Sequence, residues 1–160
     1  MELHTDIPPV QMQIISGCLV ASMQSDLTTD LLRRFQQDLL QRIKTSRVSA
    51  VILDVSAVEI MDLEDFELMR RSMAMAAMMG ARSIVVGLRP GIVSSLIALD
   101  ARVDDIEGAA DLDDALERVK SVSRASKATA EDTVKSLSGG RPANETASEA
   151  GAEDSRYYRD

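Results

Sequence analysis

The stretch Ala50-Val51-Ile52-Leu53-Asp54-Val55 decides the architecture of this chain. It is a nearly continuous apolar run, as expected of a strand covered on both faces in a parallel sheet. A loop, Ser56-Ala57-Val58-Glu59-Ile60-Met61, leads from it to Asp62. Asp62 reads as a helix cap, with Glu64 and Asp65 in the first turn and Gly80 just past the end. Outward from this unit the alternation repeats. Ser83-Ile84-Val85-Val86-Gly87-Leu88 is a second buried strand, and Pro90 opens a helix through about Leu96 to Leu99.

Upstream, Val10–Ser16 and Cys18–Met23 are short apolar runs separated by Gly17, which predicts a hairpin or a close strand pair. Ser25 or Asp26 is placed to cap a helix whose Leu27, Leu31, Phe35, Leu39 and Ile43 recur every four residues. Downstream, a weak strand is expected near Val103–Glu107 and an amphipathic helix over Leu112–Val122. The order β-β-α-β-α-β-α-(β)-α defines an α/β domain with right-handed crossovers.

Composition narrows the function. The chain has 160 residues, 45% of them hydrophobic, and a net charge of −8. That core content excludes wholesale disorder, and the acidic balance argues against a nucleic-acid partner. Cys18 and His4 are the only residues of their types, so no disulfide framework, Ser-His-Asp triad with a core histidine or multi-histidine metal site is expected. No run approaches the roughly 18 apolar residues of a membrane span, and the N-terminus lacks signal-peptide character. A cytoplasmic protein is the expectation.

Composition shifts near residue 124. Residues 124–160 carry six basic and seven acidic side chains among Ala, Ser, Thr and Gly, with Val134, Leu137, Tyr157 and Tyr158 as the only large apolar residues. The reading is a domain over 1–123 and a mobile, disordered tail over 124–160, in which a short helix around Ala130–Leu137 would be marginal alone.

Several phrases resemble the STAS family of sulphate transporters and anti-sigma-factor antagonists: Val51 through Asp62, Met79-Gly80-Ala81, and Gly87-Leu88-Arg89-Pro90. Ile7-Pro8-Pro9, Cys18-Leu19-Val20 and Phe35-Gln36-Gln37-Asp38-Leu39-Leu40 resemble the RsbS-like branch, the small STAS proteins of stressosomes. The likeness covers roughly residues 7–122. It implies a STAS-type (SpoIIAA-like) mixed sheet with about four helices, largely on one side. It also implies a non-enzymatic signalling module, without cofactor or metal, in a large hetero-oligomer. RsbR-like STAS proteins and an RsbT-like serine/threonine kinase would be the partners; the alternative is a free antagonist that binds a kinase-type anti-sigma factor.

In the family, the switch serine follows an Asp at the start of the second helix. Asp62 matches that Asp, but Leu63 stands where the serine would be, and leucine accepts no phosphate. Glu64 and Asp65 follow. They read as ordinary helix-start acids or, more sharply, as fixed charge that partly mimics the phosphorylated surface. Ser95 matches the phosphorylatable threonine of RsbR-like relatives, with Ser94 beside it; the competing reading is a small residue packed against a strand.

Three further features have plain explanations. Met69 and Met73 fall on the sheet-facing stripe of the second helix, whereas five methionines between Met69 and Met79 exceed what one stripe needs, so Met75 or Met78 is expected partly exposed. Asp54 lacks the acidic pair and lysine of a receiver domain, and is expected to order its loop by accepting backbone N–H bonds. Cys18 reads as an inert buried thiol, and Gly87-Leu88-Arg89-Pro90-Gly91 lacks the spacing of a phosphate-binding loop.

Overall fold

A computed structural model describes residues 10–24 and 27–138. Its five-stranded sheet has the order β1-β2-β3-β4-β5: β1 (Gln11–Ile15), β2 (Cys18–Ser22), β3 (Ala50–Asp54), β4 (Arg82–Val86) and β5 (Gly108–Ala109). β1 is antiparallel to β2, and all other neighbours are parallel. The helices are α1 (Thr29–Ser46), α2 (Leu63–Met78), α3 (Pro90–Ala98) and α4 (Leu112–Ser138). This is the expected mixed sheet with four helices.

The apolar runs at β3 and β4 face two cores, as their lack of alternation requires. Leu19, Ala21, Val51, Leu53 and Val85 join Phe35 and Leu39 of α1, Phe66, Met69 and Met73 of α2, and Ile92 and Leu96 of α3. The opposite pleat, Cys18, Val20, Ile52, Ile84 and Val86, meets Ala115 and Val119 of α4, with Leu112 and Leu116 of the same helix partly buried against it. Three helices therefore cover one face and one helix the other. Met69 and Met73 are buried, while Met75, Met78 and Met79 are exposed, Met78 to 89%. Ser72, the one buried polar side chain among the described residues, is satisfied by the Leu68 carbonyl and by Gln36 of α1.

Three boundaries and the exposure of one serine pair differ from expectation. The cap of α1 is Thr28, whose hydroxyl accepts from the Leu31 N–H at 3.2 Å; Ser25 and Asp26 lie outside the described residues. The fifth strand is Gly108–Ala109, because Val103 and Ile106 pack on the core from a loop instead of pairing. The last helix passes Val122 and runs to Ser138. Alanine, lysine and glutamate favour helix without burial, which the apolar pattern does not register. Ser94 and Ser95 are exposed instead of packed against a strand, because Ile92 and Leu96 take the buried face of α3.

The described residues divide into two units between Arg124 and Ala125. In the second, residues 125–138 are helical with every side chain exposed. The remaining part of the expected tail, 139–160, lies outside the described residues.

Candidate functional site

Parallel strands β3 and β4 end side by side, and the loops that leave them build one surface. The Val55 N–H donates to the Val86 carbonyl at 2.9 Å, which extends the ladder one step past β3. The chain then turns at Ser56. Asp54 Oδ1 accepts both the Ser56 N–H, at 2.9 Å, and the Ser56 hydroxyl, the loop-ordering role expected of it. From the neighbouring loop, Arg89 donates to the Ser56 carbonyl at 3.2 Å.

Gly87 makes this junction sterically feasible. Its φ is +77°, a region costly for other residues, and a Cβ there would overlap the Ser56 hydroxyl and lie 2.8 Å from Ser56 Cβ. Further along, Val58 and Met61 are buried and pin the loop from below. Asp62 then caps α2, its Oδ1 accepting the Asp65 N–H at 2.8 Å. Anchored at both ends, the segment displays Ile60 at 81% exposure and Leu63 at 37%.

The first turn of α2 is therefore exposed, with apolar and acidic character together. Asp62, Leu63 and Glu64 are exposed and Asp65 is half-buried. Burial, and after it the charges of Asp62 and Glu64, push the Asp65 carboxyl above the usual carboxylate range. Three carboxylates crowd one helix start, which the positive end of the helix dipole partly offsets. No hydroxyl is present at position 63 to extend that charge.

Ser94 and Ser95 stand on α3, the helix that follows β4. Ser95 donates its hydroxyl to the Gly91 carbonyl at 2.9 Å, and its exposed side chain remains accessible. The sequence did not reveal the Ser56–Arg89 link or the prominence of Ile60. Ser56 and Arg89 are 33 residues apart, and the only local hint was glycine two residues before Arg89. Among the described residues no group of three or more His, Cys, Asp or Glu gathers into a metal site.

The STAS domain family model matches residues 9–107, and the chain belongs to that family. Among solved structures, a serine-to-glutamate variant of RsbS from Moorella thermoacetica superposes with a TM-score of 0.64 at 19% identity, over 72% of this chain and 97% of that one. A chain from a structure of the stressosome, described as a signal integration and transduction hub, gives 0.64 at 18% identity, over 71% and 99%. The anti-sigma-factor antagonist SpoIIAA in its unphosphorylated form gives 0.55 at 15% identity, over 69% and 97%. At these identities the structures establish the fold. No curated protein sequence matched.

Proposed function

We propose that this chain is a non-enzymatic signalling scaffold, an RsbS-like stressosome component that binds RsbR-like STAS partners and holds an RsbT-like serine/threonine kinase inactive. One observation carries the reading. The exposed loop-and-helix surface from Ile60 to Glu64 is rigidly anchored, and it presents apolar and acidic groups where the family places its switch. The polar groups beneath it support this role. Asp54, Ser56 and Arg89 are engaged with one another and hold the loop in place.

With Leu63 at the switch position, a kinase has no acceptor there. Glu64 and Asp65 then either support the helix or stand in for phosphate. The double substitution Glu64→Gln with Asp65→Asn separates these roles. If the charges mimic phosphate, kinase affinity rises several-fold, and the gain shrinks in high salt because exposed charges are screened. Unchanged affinity at both salt concentrations leaves the helix-start role alone.

The scaffold reading is tested by recovering the chain from its native cell and measuring the particle mass. Very large particles that contain a second STAS protein and a kinase support it. A small complex with a kinase-type anti-sigma factor supports the antagonist reading, which the likeness to SpoIIAA keeps in view. Recovery with neither kind of kinase would sink both. Phosphate on Ser94 or Ser95 would place the switch on α3.

A further inference from the structure

The last turn of α2 holds three methionines that core packing leaves unused. Met69 and Met73 are buried against the sheet, whereas Met75, Met78 and Met79 are 42%, 89% and 46% exposed. Met75 stands three residues before Met78 and four before Met79, separations that place Cβ atoms about 5–6 Å apart on a helix. Helical geometry holds through Met79, whose N–H donates to the carbonyls of Met75 at 3.2 Å and Ala76 at 3.1 Å. Gly80, at φ +88°, then turns the chain away. Long side chains on a helix lean toward the turn before them, which directs Met78 and Met79 toward Met75. Three flexible thioethers therefore converge on one small region at the end of α2.

The electrostatic setting of that region suits a cation. The C-terminal end of a helix is its negative pole, where a basic side chain is stabilising. α1 places Lys44 there, but α2 has no basic residue in its last turn. Residues 72–81 carry no charge at all. Beyond them, Arg82 is turned to Glu107, which it holds through two nitrogens. The pole of α2 thus has no counter-charge from its own turn.

Donor chemistry decides which cation fits. Thioether sulphur is soft and uncharged, so it selects Cu(I) over hard ions such as Mg²⁺ or Ca²⁺, which require oxygen donors. No carboxylate, imidazole or thiol lies within residues 72–81 to recruit Zn²⁺.

We propose that Met75, Met78 and Met79 form a soft-metal site, binding one Cu(I) ion through three thioether sulphurs at the C-terminal pole of α2. The ion arrives and leaves as Cu(I), and no electron is transferred. The site lies at the opposite end of α2 from the Asp62 cap, and the inference is independent of any kinase or stressosome role.

Silver(I), which takes the same soft donors and resists redox change, is the first probe; Cu(I) kept reduced with ascorbate under argon is the second. In chloride-free buffer the full chain should take up one ion and saturate below about 100 µM. With isotope-labelled methionine methyl groups, the signals of Met75, Met78 and Met79 should shift together while those of Met69 and Met73 stay still. Leucine matches methionine closely in volume. Met75→Leu, Met78→Leu and Met79→Leu should therefore leave circular dichroism unchanged, yet each should weaken uptake at least about tenfold. The triple variant should lose the site, and Cys18→Ala should keep it. A thioether carries no proton, so affinity should be flat between about pH 5.5 and about pH 7.5, whereas thiolate or imidazole ligation weakens with acid. The pH profile decides the matter if Cys18→Ala fails to fold. No saturable uptake, a first ion held as tightly by the triple variant, loss of uptake in folded Cys18→Ala, affinity that falls with acid, or equal methyl shifts from Zn²⁺ would overturn the proposal.

Discussion

The hydroxyl of Ser56 occupies the space that a side chain on Gly87 would need. Two loops that leave adjacent strands are thereby locked at van der Waals contact. Gly87→Ala should destabilise the domain by about 1–3 kcal/mol from backbone strain alone, with the clash adding to it. Urea unfolding measures the loss. Adding Ser56→Gly should restore only the side-chain part of the clash, because Ser56 Cα still lies 2.9 Å from the added Cβ, and it leaves the strain from φ +77° in place, so the two changes will be non-additive.

Asp62 is both the cap of α2 and a charge close to Asp65. Asp62→Ala should cost about 1 kcal/mol through the lost cap, whereas Asp62→Asn keeps an acceptor and should cost less. Thermal unfolding of both variants checks the order.

Ionisation of Asp65 opposes folding. Its carboxyl is held above the ordinary range in the native chain, so the folded state binds that proton more tightly than the unfolded state does. Its contribution therefore weakens stability as pH rises through the window just above the usual aspartate range. Glu67 and Asp114 act with the opposite sign. Hydrogen bonds from Arg70 and Arg118 hold them low, and their contribution fades as pH falls through the acidic range. Asp65→Asn should leave the protein at least as stable at neutral pH and steeper in its acid loss. Unfolding temperatures across the acid range test both slopes.

Arg82→Ala should release the β5 edge. The side chain is about one-third exposed, so the expected loss is about 1 kcal/mol, smaller in high salt. Hydrogen exchange gives the sharper readout. The Val85 amide, bonded to the Glu107 carbonyl at 2.8 Å, should lose protection while β3 keeps its own.

Deleting residues 125–160 should change stability by less than about 0.5 kcal/mol, because residues 125–138 bury no side chain. Helical circular dichroism should fall, since α4 reaches Ser138. A larger loss of stability would reveal burial that involves residues 139–160.

The parts of the fold that could be read from sequence were those with a local physical cause. Val51 to Leu53 announce burial on both faces, Asp62 and Pro90 mark helix starts by their chemistry, and Gly17 marks the hairpin. Elements defined by tertiary partners were hidden. β5 consists of Gly108 and Ala109, which carry no strand signal and are strand only because β4 pairs with them. Val103 and Ile106 gave the apolar signal but spend it on packing. In the candidate site, the acidic first turn was visible residue by residue, whereas the Ser56–Arg89 bond depends on β3 and β4 being neighbours. The exposure of Ser95 turned on a rotation of one residue about α3.

Cys18 lies beneath α4, 1% exposed and in one cluster with Ile52, Ala115 and Val119. Burial pushes its thiol above the usual range, so the reactive thiolate is suppressed as well as shielded. A thiol reagent reaches that sulphur only when the helix lifts from its face of the sheet. Since the chain has a single cysteine, the rate of labelling is an intrinsic clock on that opening. It times a motion of the thinly covered face without any introduced probe, and it leaves the surface on the other side of the sheet unmarked.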